Sequence, residues 1–107
     1  MNISFKDFQK INLVVGLVEK AERIEESEKL IKLIVDIGAE KREIVAGIGE
    51  KYSKEDLVDK KIAIVANLEP KTIFGYQSNG MILAADLEGE PFVIFIDDNV
   101  PPGSQIR

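Results

Sequence analysis

The stretch LIKLIVDIGAEKREIVAGI, residues 30–48, decides the fold. Ile31, Leu33, Val35 and Ile37 fall on one side of a period-2 pattern, with Lys32 and Asp36 on the other, which is the alternation of a half-buried β-strand. Gly38-Ala39-Glu40 supplies a tight turn, and the alternation resumes from Lys41 to Ile48. The stretch therefore predicts a hairpin of two strands, at Leu30–Ile37 and Lys41–Ile48.

Upstream, LVVGLVEKA (13–21) is rich in β-branched residues and predicts an earlier strand, with Gly16 placed where a strongly curved strand bends or bulges. The charged segment 23–28 joins it to the hairpin. Before it, Ser4 reads as the N-cap of a short helix on which Phe5 and Phe8 share a face. Downstream, Ser53 with Asp56 three residues later predicts a capped helix of one or two turns. Further strands follow at Lys61–Asn67, Met81–Leu87 and Phe92–Ile96, and Pro101-Pro102-Gly103 makes a last turn. Short strands with one small helix between the third and fourth point to an all-β protein. The expected form is a five-stranded Greek-key barrel of the oligonucleotide/oligosaccharide-binding type (OB-fold) over residues 1–87, with a C-terminal extension over 88–107. A small β-sandwich is the alternative; a βαβ sheet would need longer helices.

At 107 residues the chain has room for one core. No apolar run approaches the ~18 residues of a membrane span, and the start lacks the pattern of a signal peptide, so the expected location is the cytoplasm. There is no cysteine and no histidine, which removes disulfides, thiolate metal sites and the usual general base. The serines lie beside turns or helix starts, where capping accounts for them. Neither a catalytic residue nor a cofactor or metal is expected.

The net charge of −5 is unevenly placed. Residues 86–107 hold five acidic groups against Arg107 alone, whereas the remainder is nearly balanced, so a basic face on the barrel is compatible with the overall acidity. Barrels of this type bind nucleotides across the second and third strands and with the loops joining strands one to two and four to five. Those regions contain Lys29, Lys32, Lys41 and Arg42, then Asn67, Lys71, Phe74, Tyr76, Ser78 and Asn79. The cations suit phosphates and the rings suit stacked bases. Each residue also has a plainer reading: lysines on an exposed sheet face are common, the two rings anchor their loop, Asn79-Gly80 is a hairpin turn with positive φ, and Met81 fills the core.

Taken in order, DFQKINLVVG (7–16), SEKLIKLIVDIG (27–38), REIVAGI (42–48), NLEPK (67–71), SNGMILAA (78–85) and the final PPGSQI resemble the tRNA-binding domain appended to methionyl-tRNA synthetases. That domain also occurs as a beta subunit, as a free-standing structure-specific tRNA-binding protein and in metazoan synthetase-complex cofactors. The resemblance implies a non-catalytic module that binds tRNA by structure and not by sequence, and raises its capture by the catalytic part of methionyl-tRNA synthetase. It matches Ser78–Met81 to the family's signature, and Lys29, Arg42, Asn67 and Lys71 to positions near its RNA-facing surface. It also implies a homodimer formed through the extension. The apolar FVIFI run agrees, because an exposed edge of that composition needs a covering partner; Phe92, Ile94, Ile96 and Pro101 are the expected interface residues.

Three departures from the family pattern stand out. Val14 occupies a place often taken by arginine, Ile24–Glu28 replaces a His-Pro segment, and Thr72 and Phe74 stand where Lys or Arg is usual. Fewer phosphate contacts predict weak, strongly salt-sensitive RNA binding. A secretion-type chaperone with the same dimeric barrel, binding extended peptides, is the alternative function.

Overall fold

The computed structural model describes residues 1–107. After a four-residue helix α1 (Phe5–Phe8) come β1 (Leu13–Arg23), β2 (Ile31–Asp36), β3 (Lys41–Ala46), the one-turn helix α2 (Lys54–Leu57) and β4 (Lys61–Val65). Six short strands follow: β5 (Lys71–Ile73), β6 (Tyr76–Ser78), β7 (Met81–Ile82), β8 (Ala84–Leu87), β9 (Glu90–Val93) and β10 (Phe95–Ile96).

The main sheet runs β10-β4-β1-β2-β3, all antiparallel, with β7 also on β4. β1 is its spine. Leu13–Leu17 pair with β4, whereas Leu17–Arg23 pair with β2, and the register slips between Val18 and Lys20. The bulge thus sits a little beyond Gly16, whose own role is different. A Cβ there would lie 2.4 Å from Val35 Cγ1 and 2.9 Å from Ile64 Cγ1, so only glycine lets β1 cross the core this closely.

The period-2 reading of the hairpin holds. Ile31, Leu33 and Val35 are buried and Lys32, Ile34 and Asp36 half-buried, with Asp36 opposite Lys41 across the turn. Ile44, Ile62, Ile64, Val18 and Leu57 of α2 complete the fully buried centre. Both caps form as expected. Ser4 Oγ accepts from the Asp7 amide, and Ser53 and Asp56 make a reciprocal capping box.

The chain differs from the sequence reading between residues 71 and 96. Lys71–Ser78 is not an open loop but the β5–β6 hairpin, turned at Phe74-Gly75 with φ of 50° and 81°. The positive-φ hairpin expected at Asn79-Gly80 is absent, since β6 and β7 do not pair and Asn79 has no left-handed φ. The strand expected over 81–87 divides at Leu83: β7 stays on the barrel while β8 leaves to pair with β9 around Glu88-Gly89. The strand expected over 92–96 divides likewise at Ile94, whose backbone joins Leu83 and Ala63, and β10 returns to β4. Met81 is 46% exposed and does not fill the core; its neighbour Ile82 does.

Residues 88–107 are stitched into the barrel at two places. β10 lies on β4, and the final segment runs along the part of β1 that β2 does not reach. Val15 N–H donates to the Ser104 carbonyl (2.9 Å), Gly103 N–H to Val15 (2.7 Å) and Ile106 N–H to Leu13 (2.8 Å).

Candidate nucleic-acid interface

β3 and β7 come together at the segment Ser78-Asn79-Gly80, which closes the barrel nearly completely. The Asn79 amide donates to the Glu43 carbonyl (2.8 Å), and the Val45 amide donates to the Ser78 hydroxyl (3.0 Å), which itself donates to the Gly80 carbonyl (3.1 Å). Arg42 rises at the rim of the same seam. Its Nη1 donates to the carbonyls of Ala66 (2.9 Å) and Asn79 (3.1 Å), and its Nε pairs with Glu40. Gly80, at φ 135°, lets the chain pass over Val65, whose carbonyl a Cβ would approach to 3.1 Å.

The β5–β6 hairpin leans against β3 and brings Tyr76 over the outer face of the sheet. Cross-strand register explains what it meets there. Lys32 lies opposite Glu22 of β1 and diagonal to Glu43 of β3, so all three project from one face. Lys32 Nζ is 3.5 Å from Glu22, 3.8 Å from Glu43 and 5.2 Å from the centre of the Tyr76 ring. Nearby, Lys41 Nζ is 2.9 Å from Glu19; that hydrogen bond and its charge hold the Lys41 ammonium above its usual pKa.

Of the residues expected at a binding surface, Lys32 and Tyr76 are thus brought together, while Arg42, Ser78 and Asn79 share the seam beside them. Lys71 opens the hairpin opposite Ser78, and Phe74, 62% exposed, forms its tip. Asn67 has a different occupation. Its Oδ1 accepts from the Asn12 amide (2.8 Å) and its Nδ2 donates to the Lys10 carbonyl (2.6 Å), tying the end of β4 to the segment before β1. Lys29 stands apart from the hairpin, lining a cleft with Glu50, Asp86, Glu88 and Glu90.

Glu22 and Glu43 were not legible as part of this surface from composition. Their signal lay in the register, because the residue opposite Lys32 can be read only once the slip near Glu19 is known.

Of the extension, Val93 and Phe95 meet Tyr52, and of the expected interface residues Phe92 lies beside Lys51. The Tyr52 ring meets Phe95 edge-on at 5.9 Å and its hydroxyl accepts from the Val93 amide (3.0 Å), while Lys51 Nζ lies 4.0 Å over the Phe92 ring. Phe92, Ile94 and Phe95 are 37%, 44% and 44% exposed; Ile96 is half-buried and Pro101 exposed. No group of His, Cys, Asp and Glu side chains is assembled to hold a metal ion, and no helix is long and apolar enough to cross a membrane.

Comparison with known proteins bears on the family and the fold. The family model described as "Putative tRNA binding domain" matches residues 13–105. The methionine–tRNA ligase of Methanothrix thermoacetophila is 52% identical over 105 residues, covering 98% of this chain, and that of Archaeoglobus fulgidus is 46% identical over 104 residues, covering 97%. The chain spans only 16% of the length of either ligase. Among solved structures, a methionyl-tRNA synthetase-related protein from Pyrococcus horikoshii superposes with a TM-score of 0.96 at 42% identity, covering 100% of this chain and 99% of that one. The chaperone CsaA of Bacillus anthracis superposes with a TM-score of 0.91 at 28% identity over the whole of both chains. With the family pattern running from the first barrel strand to the segment that pairs back onto it, the chain belongs to the tRNA-binding domain family, an all-β OB-fold family of non-catalytic modules.

Proposed function

We propose that the chain binds tRNA and serves as the capture module of a methionyl-tRNA synthetase, adding affinity to a catalytic part that lies elsewhere. The observation that carries the reading is the meeting of Lys32 with the Tyr76 ring at 5.2 Å, on the sheet face and hairpin that barrels of this type use for nucleotides. Cation and ring together suit a phosphate with its base. The relatives named methionine–tRNA ligases support the choice of RNA and of enzyme.

The residues divide by role. Lys29, Lys32 and Lys71 meet phosphates, and Phe74, Tyr76, Asn79 and Met81 offer contacts to bases or sugars. Arg42, Asn67 and Ser78 act through the backbone they hold, because their polar atoms are engaged within the barrel. Stacking on rings does not distinguish one base from another, so recognition follows the shape of tRNA and not its sequence. The protein works as a cytoplasmic homodimer, with Phe92, Ile94, Ile96 and Pro101 at the two-fold contact. Exposed aromatic and aliphatic groups on a sheet edge support that contact.

The likeness to CsaA over the full chain favours a second reading, in which the same surface takes extended peptides. Labelled tRNA titrated with the purified protein in dilute buffer, then competed with an unfolded polypeptide, separates the two. Saturable tRNA binding that the polypeptide leaves intact supports the RNA reading. Binding of the polypeptide together with no tRNA signal at any salt concentration overturns it in favour of the chaperone.

A further inference from the structure

We infer that Glu22 and Glu43 set the strength of RNA binding by competing with phosphate for Lys32; this inference rests on the RNA reading above. The Lys32 side chain is only 24% exposed, and its ammonium is shared between two carboxylates at 3.5 and 3.8 Å. Both come from neighbouring strands of the same face, one directly opposite and one diagonal, so sheet register fixes them where phosphate would arrive. The Tyr76 ring covers a further side at 5.2 Å, which leaves an incoming phosphate few approaches that do not pass a carboxylate.

The physics of the arrangement is a competition between anions. A phosphate reaching Lys32 must replace attraction already present, and it meets the repulsion of the two carboxylates it displaces. A free surface lysine gives its full counterion-release gain; Lys32 gives only the difference. The neighbouring cations repeat the pattern, with Lys41 on Glu19 and Arg42 on Glu40. Lys32 is distinguished by having two carboxylates and by its place under the aromatic ring. Glu22 and Glu43 are thus positioning residues that act on RNA through Lys32, and they hold a sheet-face cation ready while keeping the complex easily released.

The test is a double-mutant cycle read by fluorescence anisotropy with labelled tRNA at several salt concentrations. The proteins are the full chain, Glu22→Gln/Glu43→Gln, Lys32→Ala, the triple variant, and Glu55→Gln/Asp59→Asn as a charge-matched control on and just after α2, away from the residues assigned to RNA. Neutralising Glu22 and Glu43 is expected to raise affinity about threefold to tenfold, and more than the control pair does. The gain should vanish when Lys32 is alanine, and the salt slope should steepen by up to about one unit only while Lys32 is present. Thermal denaturation checks that all variants are folded. An equal gain in the control, or a gain that persists in the Lys32→Ala background, overturns the inference while leaving the RNA reading intact. Failure of every variant to bind tRNA at low salt overturns both.

Discussion

Gly38, in the β2–β3 turn, and Gly103, in the final segment, pack face to face. A Cβ added to Gly38 would lie 3.1 Å from the Gly103 Cα, and one added to Gly103 would lie 2.6 Å from the Ile37 carbonyl oxygen. Both have left-handed φ, 94° and 88°. Gly103→Ala combines an unfavourable φ with a backbone clash and is expected to cost about 2 kcal/mol or more. Gly75→Ala has a similar φ but open space around it, so about 1 kcal/mol is expected there. Thermal melting of the two variants beside the parent checks the order: Gly103→Ala should melt well below Gly75→Ala.

Ser78 predicts a separation of stability from binding. Removing its hydroxyl leaves the Val45 amide without its acceptor at the buried seam, a loss of about 1–3 kcal/mol. Urea denaturation should show that loss. Under conditions where Ser78→Ala is fully folded, tRNA affinity should fall less than it does for Lys71→Ala.

For the exposed lysines the expected signature is in salt. Lys71→Ala and Lys29→Ala should each flatten the dependence of log affinity on log salt by about one unit, and Tyr76→Ala should weaken binding by about 1–3 kcal/mol at all salt concentrations. Titrations of tRNA at three ionic strengths test both.

Acid stability should register the α2 cap. The Ser53 amide holds the Asp56 carboxyl below its usual pKa, so the cap contributes above the unfolded value of 3.8 and is lost as pH falls through the lower folded value. The stability advantage of the parent over Asp56→Ala should therefore be larger at pH 6 than at pH 2. Lys41 works in the opposite sense. Glu19 raises its pKa, so that contribution is full below 10.5 and disappears as pH rises through the higher folded value. Denaturation midpoints of Glu19→Gln at neutral and strongly alkaline pH check it.

The extension predicts an assembly. Sedimentation of the full chain should give a dimer, and Phe92→Asp with Ile94→Asp should give a folded monomer, because both side chains are substantially exposed in the single chain. Removing residues 103–107 should instead destabilise the barrel, since those residues carry hydrogen bonds to β1.

The barrel was legible wherever a strand buries one face. Ile31, Leu33 and Val35 alternate with Lys32 and Asp36, and that pattern alone identifies the strand and its core side. It failed between residues 71 and 96, where strands of two to four residues are too short for periodicity to register, and where turns fall on Phe74-Gly75 and Glu88-Gly89 with a non-glycine residue at positive φ. The candidate surface was legible by residue type but not by arrangement. Arg42 and Ser78 read as polar groups free for RNA, yet their partners are backbone groups from β3, the end of β4 and the seam, and only tertiary pairing reveals that. Lys32 read as an open cation because Glu22, its cross-strand neighbour, is ten residues away along the chain.

The pairing of Leu13–Val15 with residues 63–65 on one side and 103–106 on the other also governs how the molecule acquires its shape. A strand whose two neighbours come so much later in the sequence closes only when sites near the two ends of this domain meet. Such sequence-distant closure folds slowly, on the order of milliseconds to seconds. Without residues 103–106 the flank of β1 at Leu13–Val15 would present unpaired backbone groups to any chain nearby.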